Sequence, residues 1–157
     1  MNFLSEPLFQ AIFNTSVPRV IVKTDSPHFT IIASNDAQKQ LNRIGIYKTS
    51  DKNVWEAFGF DTTEEGNGAL LMNALTNAIN SNEIVLTPVF RHDIYTGKEY
   101  KLTQSWWQIE VTPIAGKDRR RTECLLLTTR PISRRFANHP TAIETNFQEH
   151  KLSEKLA

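Results

Sequence analysis

A regular alternation of apolar and polar positions runs from Gln104 to Ile114. The apolar set is Trp107, Ile109, Val111 and Pro113, and the intervening set is Trp106, Gln108, Glu110 and Thr112. A period of two is typical of a strand that buries one face. Runs rich in Val, Leu, Ile, Thr and Phe flank it at Ile84–Tyr95 and Thr122–Pro131. Three strands in succession predict an antiparallel meander with 104–114 at its centre.

The amino-terminal part of the chain predicts a short amphipathic helix followed by a hairpin. Apolar residues recur there at helical spacing, as Leu4, Leu8, Phe9, Ile12 and Phe13. Ser5 is placed to cap this helix, and Pro7 falls in its first turn, where proline is tolerated. The β-branched run Arg19–Thr24 predicts a strand, Asp25–His28 a turn, and Phe29–Ala33 the returning strand.

Two helices and a single helical turn are predicted between this hairpin and the meander. Ser34, Asn35 and Asp36 offer side-chain oxygens that can cap a helix. This helix would run through Ala37, Leu41 and Ile44, and Gly45 can close it. The apolar run Val54–Phe58 predicts the single turn. The second helix follows Asn67, ends at 80–82 and has one apolar face, made of Leu71, Leu75, Ala78 and Ile79. With turns at 96–99 and 116–119, the predicted order is β-β-α-α-β-β-β.

Composition favours one globular domain. The chain has 157 residues, 39% of them hydrophobic, which suffices to bury a core without disulfides or metal. We expect an amino-terminal helix at 1–16, a core domain at 17–133 and a polar tail or linker at 134–157. The single cysteine, Cys124, excludes an internal disulfide, and its place in an apolar strand predicts a buried, unreactive thiol.

Charge and motifs argue against several classes of function. The net charge of +1 gives no general attraction to nucleic acid or anionic membranes. Lys117 and Arg119–Arg121 fall on a predicted hairpin tip, where charges are usually solvated. The sequence has no signal peptide, long apolar segment, metal-ligand spacing, nucleophile elbow or glycine-rich phosphate loop. We therefore expect a cytoplasmic protein that is not an enzyme and has no nucleic-acid or membrane partner.

The order of elements resembles that of PAS sensory domains, such as those of bacterial sensor histidine kinases. The resemblance covers roughly Leu8 to Ile132 and rests on short runs that occur in a shared order. These runs are Asn14–Asp25, Asn35–Ala37, Val54–Phe58, Arg91–Ile94, Trp106–Trp107 and Thr112–Ile114. The resemblance implies an α+β fold with a five-stranded antiparallel sheet and helices packed on one face. It also implies sensing or protein association, in two-component signalling, rather than catalysis.

The resemblance bears on cofactors as well. Flavin photosensors of this family need a cysteine on the helix after the first hairpin, whereas Cys124 lies on the last predicted strand. Haem sensors of the family use a histidine on or near the long helix, and Gly68–Asn80 contains none. Covalent flavin photochemistry and haem are therefore disfavoured, and the cofactor is left unknown. The alternative hypothesis is a small-ligand-binding or catalytic α+β barrel, without helices between the second and third strands.

If a small ligand is bound, we expect it between the meander and the two middle helices. The predicted contacts are Asn35, Phe90, His92, Trp107 and Ile109. His92 has a second interpretation, as a histidine at the core edge that is hydrogen-bonded to backbone or to a neighbouring strand. Arg91 and Asp93 are too far apart along one strand for close pairing, so we expect each to pair across strands or with solvent.

Protein association is the other expectation. Trp106 and Trp107 should point to opposite faces, so that Trp107 packs in the core while Trp106 needs a cover. The first helix is too short to be stable alone in water and must dock on its own sheet or on that of a second copy. We therefore predict a twofold homodimer through Leu4, Leu8, Ile12 and Trp106. A signalling partner protein is the other candidate.

Overall fold

The structure is a computed structural model that describes residues 2–41, 52–60, 66–96 and 101–133. Three predictions reach outside these residues, namely the end of the second helix at Ile44, the turn that follows Thr96, and the tail at 134–157. The chain forms two compact units. The main unit comprises Met1–Pro88 and Gln108–Arg130, and the second unit comprises Val89–Trp107 and Pro131–Ala157.

Helices and strands follow one another much as the hydrophobic pattern predicts. The helices are α1 (Pro7–Phe13), α2 (Asp36–Leu41), α3 (Val54–Phe58) and α4 (Asn67–Ser81). The strands are β1 (Arg19–Lys23), β2 (Ile31–Ser34), β3 (Val85–Leu86), β4 (Phe90–Arg91), β5 (Ile94–Thr96), β6 (Lys101–Thr103), β7 (Trp106–Ala115) and β8 (Thr122–Ile132). The central strand, the long helix and the single turn at 54–58 are confirmed.

The main unit is built on an antiparallel sheet whose strands lie in the order β2-β1-β8-β7-β3. In the ladder between β1 and β8, Val20 lies opposite Leu127 and Ile21 opposite Leu126. The sheet is open, with β2 and β3 at its edges, and α2, α3 and α4 come between these two strands in the sequence. The predicted α+β fold with a five-stranded sheet is confirmed, and the barrel alternative is wrong.

The two faces of this sheet are covered by different helices. Ile21 and Cys124 lie on one face and form a buried cluster with Phe13 of α1. Because strand side chains alternate, Val20 and Leu125 point to the opposite face, where they are also fully buried. The helices between β2 and β3 supply the other half of that core, with Val54, Phe58, Leu71, Leu75 and Ala78.

The start of α1 differs from the prediction in its cap. Ser5 was the expected cap, but it lies in a 3₁₀ turn, Asn2–Ser5, that precedes the helix. Glu6 is the N-cap and its side chain makes no capping hydrogen bond. Pro7 occupies the first turn as predicted, where its missing N–H leaves no helical bond unmade. The prediction for Ser5 failed because the 3₁₀ turn places Glu6, one residue later, in the extended conformation that a cap requires.

The strand predicted over Ile84–Tyr95 is broken into β3, β4 and β5, for two local reasons. Thr87 takes the place of a ladder residue: its backbone N–H donates to the Ile109 carbonyl, and its Oγ1 accepts from the Ile109 N–H at 2.9 Å. Pro88 follows and has no N–H with which to continue the pairing. A second break at His92 and Asp93 separates β4 from β5.

We predict that Thr87→Val destabilises the protein by about 1 to 3 kcal/mol, because the buried N–H of Ile109 loses its acceptor. Thr87→Ser is the matched control, since it keeps the hydroxyl and removes only a methyl group. Urea denaturation of both variants measures the difference in the free energy of unfolding. Equal stability of the two variants would show that the side-chain hydrogen bond does not hold this edge.

Candidate functional site

Asn35 is the polar centre of the main unit. It is fully buried, and its side chain makes four hydrogen bonds to the backbone. The Oδ1 atom accepts from the N–H of Arg19 at 3.0 Å and from that of Gln38 at 2.9 Å. The Nδ2 group donates to the carbonyls of Phe13 and Val17, both at 2.7 Å. One side chain therefore connects the end of α1, the start of β1 and the first turn of α2.

The amino-terminal helix docks on the sheet of its own chain. Phe13 joins the buried cluster with Ile21 and Cys124, and Phe3, Leu4 and Phe9 pack against it. The rings of Phe9 and Phe13 stack with centroids 5.3 Å apart. The aliphatic residues predicted as a dimer contact therefore differ in their burial. Leu4 packs on the core of its own chain, whereas Leu8 and Ile12 remain 74% and 53% exposed.

Arg19 provides a second link to the end of α1. Its backbone N–H binds Asn35, while its guanidinium Nη1 donates to the Ile12 carbonyl at 2.9 Å and to Thr15 Oγ1. The last turn of a helix leaves carbonyls without helical partners, and a cation there satisfies them. Arg19 thus fastens the exposed side of the α1 terminus to β1.

Two buried polar side chains in the main unit stand out. Gln38, in α2, and Thr129, in β8, are 1% and 3% exposed. Among the described residues, no group forms a hydrogen bond with the Gln38 side-chain amide, at either its nitrogen or its oxygen, or with Thr129 Oγ1. Sequence analysis missed both residues. The signal for Gln38 was its position three residues after the capping Asn35, on the side of the helix that carries Leu41.

Three of the predicted ligand contacts lie in the second unit. Phe90 and Trp107 are paired across β4 and β7, and both side chains are buried. His92 follows β4 and is half-buried; its backbone carbonyl accepts from Trp107 Nε1 at 2.9 Å, and its N–H donates to Ser105. Asn35 and Ile109 belong to the main unit instead. The ligand role of all five residues stays a prediction.

Arg91 and Asp93 form a close ion pair, so the prediction that they do not pair was wrong. Arg91 Nε lies 3.0 Å from Asp93 Oδ1, and Nη2 lies 2.9 Å from Oδ2. The strand ends after Arg91, and the break lets the long guanidinium fold back onto Asp93. These hydrogen bonds lower the pKa of Asp93. The guanidinium also lies over the half-buried Trp106, with Cζ 5.8 Å from the ring centroid.

Solved structures with this arrangement of elements include those of sensory proteins. An RNA-binding light-oxygen-voltage receptor superposes with a TM-score of 0.62 and 16% identity, over 97% of this chain and 39% of that one. A light-oxygen-voltage domain studied with a flavin analogue gives a TM-score of 0.62 and 14% identity, over 91% and 97% of the two chains. A sensory box sensor histidine kinase from Vibrio cholerae gives 0.54 and 18%, over 80% and 89%.

The chain has the PAS fold. It spans less than half of the RNA-binding receptor, which is therefore a longer protein. No model of a protein family matches the sequence. No curated protein matches it.

Within this PAS fold, Cys124 lies beneath α1. Burial raises the pKa of its thiol to about 12, and the charge of the adjacent Glu123 acts in the same direction. Reactive cysteines have lowered pKa values and are accessible, and Cys124 has neither property. The thiol is buried as predicted, and its position makes it a natural reporter of whether α1 is docked.

Other classes of site find little support in the parts of the chain that the structure describes. No group of three or more His, Cys, Asp or Glu side chains there is placed to hold a metal ion. None of the described helices is both long enough and apolar enough to cross a membrane.

Proposed function

We propose that this chain is a non-enzymatic sensory module of signal transduction, in which binding of a small ligand or a protein partner changes the docking of α1. The observation that carries the proposal is the set of four hydrogen bonds made by Asn35. They join the core on one face of the sheet to the helix on the other face. A change at α2 therefore has a short physical route to α1.

The docked helix has the properties of an element that can switch. It has only seven residues, and so short a helix is not stable by itself in water. Its helical state therefore depends on Phe9 and Phe13 packing on the sheet and on the bonds from Asn35 and Arg19. Signalling proteins commonly use the ordering or release of such a segment as their output.

The similar structures support this role at the level of the fold. Two of them carry light-oxygen-voltage in their names, and one is a sensor histidine kinase. Because one of the similar structures is a sensor histidine kinase, we propose that this chain acts in two-component signalling and is cytoplasmic. We propose no nucleic-acid partner, because the net charge is only +1.

The proposal predicts that Asn35→Asp releases α1. The change keeps the acceptor Oδ1 but replaces the Nδ2 donor with an oxygen that faces the carbonyls of Phe13 and Val17. We expect Cys124 to react with N-ethylmaleimide at least severalfold faster than in the wild type, as expected when a local opening exposes a protected group. Labelling rates followed by mass spectrometry measure this.

Two variants control the experiment. Leu102→Ala truncates an exposed leucine outside α1 and outside the proposed dimer contact, and it should leave the labelling rate unchanged. Phe9→Ala removes packing beneath α1 and should raise the rate without touching Asn35. Faster labelling of Phe9→Ala together with wild-type labelling of Asn35→Asp would contradict the coupling.

We also propose that the exposed face of α1 joins two copies of the chain in a twofold dimer. Leu8 and Ile12 are large apolar side chains left to solvent on a helix that otherwise packs well. Exposed apolar side chains of this kind supply anchors on which the affinity of interfaces depends.

The dimer predicts that Leu8→Glu combined with Ile12→Glu gives a folded monomer, because two charges would be buried at the interface. Sedimentation velocity at high micromolar concentration measures the state of association. Leu102→Glu is the matched control, since Leu102 is another exposed leucine outside the proposed contact. A dimer that survives the double change, or a wild type that sediments as a monomer, would refute this interface.

A further inference from the structure

Three consecutive arginines lie at the tip of the hairpin that joins β7 to β8. Arg119, Arg120 and Arg121 are exposed, and so is Lys117. We call these four residues the basic tip. Neither of the two ion pairs found among the described residues involves any of them. Within the described chain, these cations therefore face solvent without a bound counter-charge.

The two carboxylates nearest to the basic tip in sequence have other positions. Asp118 Oδ1 accepts from the backbone N–H of Arg120 at 3.2 Å. This oxygen and Glu123 Oε2 lie beside Gly116, each 3.7 Å from the position that a Cβ atom would take there. Both acidic groups thus gather on the Gly116 side of the hairpin and leave the guanidinium groups to solvent.

The backbone of the hairpin tip is held by hydrogen bonds. The N–H of Gly116 donates to the Arg121 carbonyl, and the N–H of Arg119 donates to the Gly116 carbonyl, both at 3.0 Å. At the base of the tip, Thr122 Oγ1 donates to Asn82 Oδ1 at 2.8 Å, which fastens the hairpin to the end of α4. A surface that is already ordered loses less conformational freedom when it binds a partner.

Arg119 has a backbone conformation that costs an arginine stability. Its φ of +56° lies in the left-handed region, which favours glycine and asparagine. The other described residues with positive φ are Gly59 and Asn82, which are of these types, and Phe29, which is fully buried. Arg119 is exposed, so no burial of its side chain offsets the cost. Strain of this kind is typical of positions where the side chain has a function.

An exposed aliphatic side chain lies next to the basic tip. Ile84 follows Asn82 by two residues, so it lies within about 7 Å of the residue that binds Thr122. It is 59% exposed, and Leu86, two residues further along, is 47% exposed. The surface therefore combines cations with an apolar neighbour.

We propose that the basic tip and Ile84 together bind a segment of a partner protein that carries several carboxylates and an apolar side chain. A guanidinium group is planar and matches a carboxylate through two parallel hydrogen bonds. Residues 115–123 include no aromatic side chain on which a nucleic-acid base could stack. Residues 116–121 include no apolar side chain that could insert into a membrane.

The inference rests on the proposed sensory function and deepens it by giving the chemistry of the protein partner. Both strands that lead into the basic tip reach the cluster beneath α1. Cys124, in β8, is a member of that cluster, and Ile114, in β7, packs against it. A partner held at the basic tip would therefore lie beside the helix whose docking is proposed to change.

The probe is a short fluorescein-labelled peptide in which aspartate and glutamate alternate with leucine, and fluorescence anisotropy measures its binding. Arg119→Gln, Arg120→Gln and Arg121→Gln combined should weaken binding at least about tenfold, since each exposed charge pair contributes a few tenths of a kcal/mol or more. Raising the salt concentration from about 0.1 M to about 1 M should weaken binding to the wild type, because the screening length falls from about 10 Å to about 3 Å.

A single pair of variants separates local contacts from net charge. Arg120→Gln should weaken binding about twofold to fivefold. Lys52→Gln is its matched control, because it removes one charge from an exposed residue that pairs with the outer strand β2, with β1 between β2 and β8. Its affinity for the peptide should equal that of the wild type, since a charge so far away is screened.

Two further variants test features that a merely structural tip would not show. Arg119→Gly should weaken binding about twofold to fivefold and yet melt at the same temperature as the wild type or higher, because glycine adopts a positive φ freely. Ile84→Ser should weaken binding of the leucine-bearing peptide but not of a peptide with serine in place of leucine. Circular dichroism confirms that each variant is folded.

Three outcomes would overturn the surface: equal peptide affinity of the wild type and the triple glutamine variant; a clearly lower melting temperature of Arg119→Gly; or tighter binding of a single-stranded oligonucleotide or of phosphatidylserine vesicles that the same triple change abolishes, which would assign the tip to another class of partner. Any of these, found while Asn35→Asp still accelerates labelling of Cys124, refutes the surface and leaves the sensory proposal standing. Failure of the labelling test alone refutes the coupling to α1.

Discussion

The buried side chain of Asn35 is the interaction on which the rest of the main unit depends. An asparagine amide in a core is tolerated only when its donors and acceptors are satisfied, and here each N–H and each lone-pair direction is used by backbone. Because the partners come from α1, β1 and α2, their relative positions are fixed together. No apolar residue of similar size could hold three separate elements in this way.

The helices that Asn35 connects cover different faces of the sheet. On one face, α2, α3 and α4 cover a continuous apolar core. On the other, α1 and its preceding 3₁₀ turn are the described elements that cover Ile21 and Cys124, and a helix of seven residues has marginal intrinsic stability. We propose that this second face is the one that opens during signalling. Asn35 lies where the two faces meet, and this position is the basis of the proposed coupling between them.

Sequence analysis correctly predicted the elements that have a strong hydrophobic periodicity. It was wrong where a single side chain determines the end of a strand or an ion pair. The alternation over 104–114 and the apolar face of α4 identified their elements, and the order of elements was enough to indicate PAS. Thr87 ended a strand by replacing a backbone partner with its hydroxyl, which no hydrophobic pattern reveals. Arg91 and Asp93 were predicted not to form an ion pair, because the sequence analysis did not predict that the strand ends after Arg91.

The candidate site was predictable only in part, for a similar reason. Asn35 was one of three candidate caps before the helix, but its bonds to Phe13 and Val17 join residues about twenty positions apart and have no local signature. Gln38 looked like an ordinary polar residue of a short helix. Only its burial, together with the lack of a described hydrogen-bond partner, distinguishes it.

Amide hydrogen exchange of the Asn35→Asp variant tests the central claim most directly. This change removes the bond to Phe13, the last residue of α1, and the bond to Val17, and it retains the two bonds to β1 and α2. The account predicts that the amides of α1, such as those of Phe13 and Asn14, exchange much faster than in the wild type. The amides of Arg19 and Gln38, which bind Oδ1, should keep their protection. Unchanged protection of α1, or an equal loss at all four amides, would show that Asn35 does not link the two faces of the sheet.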